Sequence, residues 1–174
     1  MPSTNQTLLR ATRGLLWLML ALVIAAALTL VGVAIAVVVA WPNVVAKIQH
    51  MPELVDASTM RLPLGILLLL LIAVLGVAAY ILRQLQAMVA SASRDPFIIE
   101  NAWRLRRIGW SLVTIQLLAL PVHLMAADIA KPGSEFSEMG GLSASSLLAI
   151  LLAFVLAAVF EQGAAMRDEL EGTV

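Results

Sequence analysis

A chain of 174 residues that is 61% hydrophobic, with a mean hydropathy of +0.98, lies outside the range of a soluble domain, where apolar residues are about half. It reads as an integral membrane protein. Its formal net charge of zero excludes a generally basic nucleic-acid binder, and the absence of cysteine excludes disulfides, thiol catalysis and Cys-based metal or iron–sulfur sites.

Residues 1–13 are polar, and Arg10 and Arg13 stand just before an uncharged run over 15–41, longer than the ~20 residues that cross a bilayer. A signal-peptide core would hold only about 7–15 residues, so this run is expected to be an uncleaved spanning helix. Trp17 and Trp41 lie near its ends, where aromatic belts form. Gly32, Ala36 and Ala40 recur every four residues; they either leave a strip for a neighbouring helix backbone or reflect the abundance of alanine. Pro42 is expected to end the helix. The mixed segment that follows carries Lys47, His50, Glu53, Asp56 and Arg61, and its Pro52 and Pro63 leave room between them for a short surface helix. A second span is expected over 64–82. Arg83, Gln84 and Gln86 mark its exit into water, and Ser91 and Ser93 are expected to interrupt the helix beyond it.

Charge then concentrates between Arg94 and Trp110. Asp95 can cap a helix whose first residue is Pro96, since Pro has a helical φ and no N–H to leave unpaired. Once wound, Glu100, Arg104 and Arg107 share one face and Ile98, Leu105 and Ile108 the other, while Trp103 and Trp110 stand seven residues apart on one stripe. The stretch over 95–107 therefore reads as an amphipathic cytoplasmic lead-in to a third span over 108–127. It is either a basic loop that sets membrane orientation or a docking surface. Pro121 predicts a kink or local opening, and Gln116 and His123 are intramembrane polar groups expected to face the bundle. A loop rich in Gly and Pro precedes Ser143, Ser145 and Ser146, which can cap a fourth span over 147–165. A charged tail over 166–174 closes the chain.

The expected fold is thus all-α: one polytopic membrane domain over 1–174 with four transmembrane helices. Arg10, Arg13, Arg83, Arg94, Arg104, Arg106, Arg107 and Arg167 fall on one side of it and Lys47, Arg61 and Lys131 on the other. The positive-inside rule then puts both termini and the central lead-in helix in the cytoplasm of a multi-pass inner-membrane protein. Glu161 sits at the inner end of the fourth span, and stepping back by fours from it gives the small residues Ala157, Ala153, Ala149 and Ser145. Either it forms a polar latch with Arg104 or Arg107, or it reaches interfacial water. His50 and His123 lack the spacing of a zinc motif, and there is no phosphate loop, nucleophile elbow or HExxH helix. No metal, no cofactor and no enzymatic activity are expected.

Two stretches carry a family likeness: Asp95-Pro96-Phe97, Asn101, Arg104-Leu105-Arg106 and Ile108-Gly109-Trp110, then Phe160-Glu161-Gln162-Gly163 with the tail from Arg167 to Val174. The chain resembles a domain-of-unknown-function family of four-span bacterial membrane proteins often encoded beside a small Xre-type (Cro-like) helix-turn-helix regulator. The resemblance implies a regulatory partnership and no known activity. Asp95, Pro96, Phe97, Asn101, Arg104, Arg106, Arg107, Arg167, Asp168 and Glu169 become candidate partner-binding residues. The leading expectation is a regulator that binds or sequesters such a transcription factor without touching nucleic acid itself. The alternative is a small homo-oligomeric channel or transporter component with Gln116, His123 and Glu161 along a path.

Overall fold

A computed structural model describes residues 4–48, 61–92, 96–129 and 143–171 of the chain. Among the described residues every element is an α-helix: α1 (Thr4–Val39), α2 (Trp41–Ile48), α3 (Arg61–Ala92), α4 (Ile99–Ile129) and α5 (Ala144–Glu171). Helices α1, α3, α4 and α5 are each long and apolar enough to cross a membrane, and the protein is a multi-pass, all-α membrane protein. At 1.5 Å per residue, even the 28 residues of α5 extend about 42 Å, more than a hydrocarbon core of about 30 Å. Each of these helices therefore reaches into water or the headgroup layer.

Hydroxyls on these helices bond to their own backbone. Thr12 donates to the Leu8 carbonyl at 3.0 Å, Thr29 to Ala25 at 2.9 Å, Ser111 to Arg107 at 2.8 Å and Thr114 to Trp110 at 3.0 Å. The carbonyl four residues back is the acceptor always within reach, and within a span no water competes for the hydroxyl.

The chain forms two compact units: Met1–Val23, Ala78–Thr114 and Ala144–Val174 make one, Ile24–Val77 and Ile115–Ser143 the other. In the first, Leu16 and Leu20 of α1 bury against Leu82 of α3, with Val23, Ala79, Leu85 and Val89 packed around them. Steps of three and four residues keep each set on one helix face. In the same unit Ala153, Ala157 and Ala164 of α5 are buried, with half-buried Ile150 and Phe160 continuing that stripe. Ala149 and Ser145, the upper part of the expected small-residue row, are exposed. The stripe follows alternating steps of four and three, and a strict step of four drifts off it.

In the second unit α1 ends at Val39 and α2 begins at Trp41, with the Ala40 carbonyl accepting from Asn43 N at 3.0 Å and Val44 N at 3.1 Å. Pro42 closes the long helix as expected and also stands in the first turn of the next, where its missing N–H leaves nothing unpaired. Of the small residues that recur every four along α1, Gly32 faces open space, where a Cβ would meet nothing within 4 Å, while Ala36 and Ala40 are half-buried. Pro121 lies inside α4, which continues to Ile129. Its ring removes one backbone donor without ending the helix. The expected surface helix between Pro52 and Pro63 falls mostly outside the described residues, as do His50, Glu53 and Asp56.

Candidate functional site: the clasp between α4 and α5

The charged centre of the sequence is built in the first unit, where the end of α3, the entry to α4 and the later turns of α5 meet. The helix starts later than the sequence suggests. Pro96, Phe97 and Ile98 precede α4, which begins at Ile99, and Asp95 lies outside the described residues. The reason is Asn101, whose side-chain Nδ2 donates to the Pro96 carbonyl at 2.9 Å and whose backbone N donates to the Ile98 carbonyl at 3.0 Å. Together these bonds hold the lead-in as a turn. A short amide side chain offers the backbone this alternative to helix geometry.

Asn101 is 1% exposed, the one buried polar or charged residue found among the described residues. Its Oδ1 accepts from Arg104 Nη1 at 2.7 Å and lies 3.0 Å from the Ser91 hydroxyl, which is also 2.9 Å from the Met88 carbonyl and donates to one of the two at a time. α3 thus runs through Ser91 to Ala92, and Ser91 serves as a link to α4 where an interruption was expected; Ser93 lies outside the described residues. Both ends of the buried amide are satisfied, as burial requires.

From there α4 and α5 run antiparallel, joined at three levels. At the first, a Cβ on Gly163 would stand 2.7 Å from Phe97 Cδ1, so the Phe97 ring rests on bare backbone, with the Phe160 ring centroid 5.4 Å away. At the second, Arg106 Nη2 donates to Glu161 Oε2 at 2.7 Å. At the third, a Cβ on Gly109 would stand 2.9 Å from Phe154 Cζ, and Trp110 meets the same Phe154 ring edge-on at a centroid distance of 5.6 Å. The arrangement is reciprocal. α5 offers a glycine to the lead-in phenylalanine, and α4 offers a glycine to a phenylalanine of α5.

The latch to Glu161 exists, but its arginine is Arg106, not Arg104 or Arg107. Ala102 and Gly109 are buried on α4, and Arg106 falls four residues after the first and three before the second, on the same stripe. Arg107 is turned from Arg106 by roughly 100° and Arg104 by roughly 200°, since a helix has 3.6 residues per turn. Arg104 goes to Asn101 instead, and Arg107 is exposed. Both members of the latch are about half exposed, at 52% and 45%, so the pair adds register more than stability.

Of the candidate partner-binding residues, Phe97, Asn101, Arg104 and Arg106 are engaged within the clasp, and Pro96 lends it a carbonyl. Arg107, Arg167, Asp168 and Glu169 present exposed side chains, and so do Glu100 and Trp103. Gln116 and His123 belong to the second unit and are half-buried; Gln116 Oε1 is buried without a hydrogen-bond partner among the described residues. The linking role of Ser91, the contacts of Phe154 and the packing role of the two glycines were not expected from the sequence. A lone glycine inside a helical run costs about 1 kcal/mol against alanine, and that cost was the available signal of a close approach.

Among known proteins, one family matches, described as Protein of unknown function (DUF2975), over residues 46–174. No curated protein and no solved structure matches the chain. The matched range contains every residue of the clasp named above.

Proposed function

The chain belongs to the family Protein of unknown function (DUF2975), and from that premise we propose that it is a membrane-embedded regulator that binds a small cytoplasmic helix-turn-helix transcription regulator and holds it away from DNA. The observation that supports this reading most is the clasp. It joins the start of α4 to the last turns of α5, so exposed Trp103 and Arg107 share one end of the helix pair with Arg167, Asp168 and Glu169. An aromatic beside a guanidinium, with both signs of charge nearby, suits a protein partner better than nucleic acid. In this reading the protein acts by binding and needs no cofactor, metal or catalytic group. Among the described residues Arg10, Arg13, Arg83, Arg104, Arg106, Arg107 and Arg167 belong to the unit that holds the clasp and Lys47 and Arg61 to the other, from which we infer a bacterial inner-membrane protein with both termini in the cytoplasm.

The test is retention of the regulator by the intact protein in mild detergent, using the wild type and a Trp103→Ala/Arg107→Glu variant. Loss of both groups is expected to weaken retention by more than roughly tenfold, as for interface hot spots. A wild type that retains no DNA-binding protein, or a variant that retains it equally, overturns the reading.

Buried Gln116 Oε1, without a hydrogen-bond partner among the described residues and on a helix able to span a membrane, favours a second reading: a subunit of a homo-oligomeric channel or transporter. Glu161 is already held by Arg106 and is a poor ion ligand there. Flux through liposomes containing the wild type, abolished by Gln116→Leu, would support that reading; liposomes that stay tight would sink it.

A further inference from the structure

We propose that a groove between α1 and α3 in the second unit is a lipid site, holding an acyl chain of an anionic membrane phospholipid whose phosphate is bound by Arg61. The groove has a volume of about 880 Å³ and lies between Val31, Ile35 and Val38 of α1 and Leu62, Ile66 and Leu69 of α3, with Gly65 leaving its wall open. Arg61 is the one charged residue among those lining it, and the others are aliphatic or glycine.

The polarity of the groove is that of a phospholipid. Arg61 Nη2 donates to the Val38 carbonyl at 2.7 Å, which pins the guanidinium at the end of α1 where helix carbonyls favour a cation. The last turns of α1, from Val31 to Val39, then lead away from that charge for about 12 Å with only hydrocarbon on display. A guanidinium has five N–H donors and the Val38 bond uses one of them among the described residues, which leaves donors for a phosphate in the fork geometry that arginine favours. Both walls belong to helices able to span a bilayer, so acyl chains are the solvent at the groove. An unfilled apolar groove forfeits dispersion contacts along its lining, and a chain laid into it recovers them.

The experiment reconstitutes the intact protein into vesicles of equimolar phosphatidylcholine and phosphatidylglycerol, extracts it in mild detergent and counts retained lipids by mass spectrometry. The wild type is expected to retain phosphatidylglycerol over phosphatidylcholine roughly five-fold. Arg61→Gln should bring that ratio close to one while lipid is still retained, and Arg61→Lys should keep part of the preference. Gly65→Leu places a side chain where nothing stands within 4 Å, and should lose lipid of both kinds with helical content unchanged. Equal retention of the two lipids by the wild type overturns the proposal, as does an Arg61→Gln variant indistinguishable from it. If inorganic phosphate alone strips the lipid, Arg61 marks a free-phosphate site. If Gly65→Leu splits a dimer and leaves retained lipid unchanged, the groove belongs to a second copy of the chain. Either result overturns the lipid assignment.

Discussion

Asn101 and the two glycines of the clasp decide more of the local structure than the charged residues around them. The Asn101 amide is buried, with Pro96, Arg104 and Ser91 as its partners. Asn101→Ala strands the Pro96 carbonyl and frees Arg104, and is expected to cost about 1–3 kcal/mol, read as a lower thermal midpoint in detergent. Asn101→Asp keeps an acceptor for Arg104 but loses the donor to Pro96, and should fall between wild type and Asn101→Ala. Gly109→Ala forces a methyl to within 2.9 Å of the Phe154 ring, an overpacking that costs about 1–3 kcal/mol. Adding Phe154→Leu should recover part of that loss. Two single costs that simply add would show that the ring and the glycine are not in contact.

At the scale of elements, α4 carries two tasks on one helix. Its first turns present a face to α5 through Ala102, Arg106 and Gly109, and its later turns are apolar enough to span. The half-exposed Arg106–Glu161 pair is worth at most about 1 kcal/mol, so Arg106→Gln should hardly shift the thermal midpoint. Its effect should fall on register: Arg106→Glu puts two carboxylates together and should weaken partner retention, and adding Glu161→Arg should restore it. Failure of the exchange to restore retention would remove the latch from the proposed function. Pro121 has a separate meaning, since α4 continues through it. If geometry there transmits a signal, Pro121→Ala should fix retention in one state; retention that still responds to conditions as in wild type would leave the proline a packing feature only.

For the whole molecule, the proposed orientation has a direct test because the chain contains no cysteine. Any introduced thiol is then the sole target of a membrane-impermeant maleimide. In intact cells Lys47→Cys is expected to label and Asp168→Cys to label only after the membrane is opened. The reverse pattern would place the clasp outside and exclude a cytoplasmic partner. A regulator of this kind also needs two states, and moving a partner from almost fully bound to almost fully free takes about 5.5 kcal/mol of bias. A lipid held at Arg61 is one ligand able to contribute to that bias, provided it binds the two states unequally.

The membrane class, the helical fold and four span-capable helices were legible in the sequence, because crossing a bilayer demands long uncharged runs and satisfied backbone bonds whatever the tertiary arrangement. Residues such as Glu161 stood out as well, since a carboxylate beside an apolar run is conspicuous in composition alone. Tertiary structure decided their partners. Arg104, Arg106 and Arg107 are alike in type and adjacent in sequence, and only the rotation of α4 against α5 selects Arg106 for the latch and leaves Arg107 exposed. The same holds for Gly32 and Gly109: both are lone glycines in helices, yet one faces open space and the other receives the Phe154 ring. Periodicity specifies a face of a helix, and what meets that face depends on contacts between residues far apart in the chain.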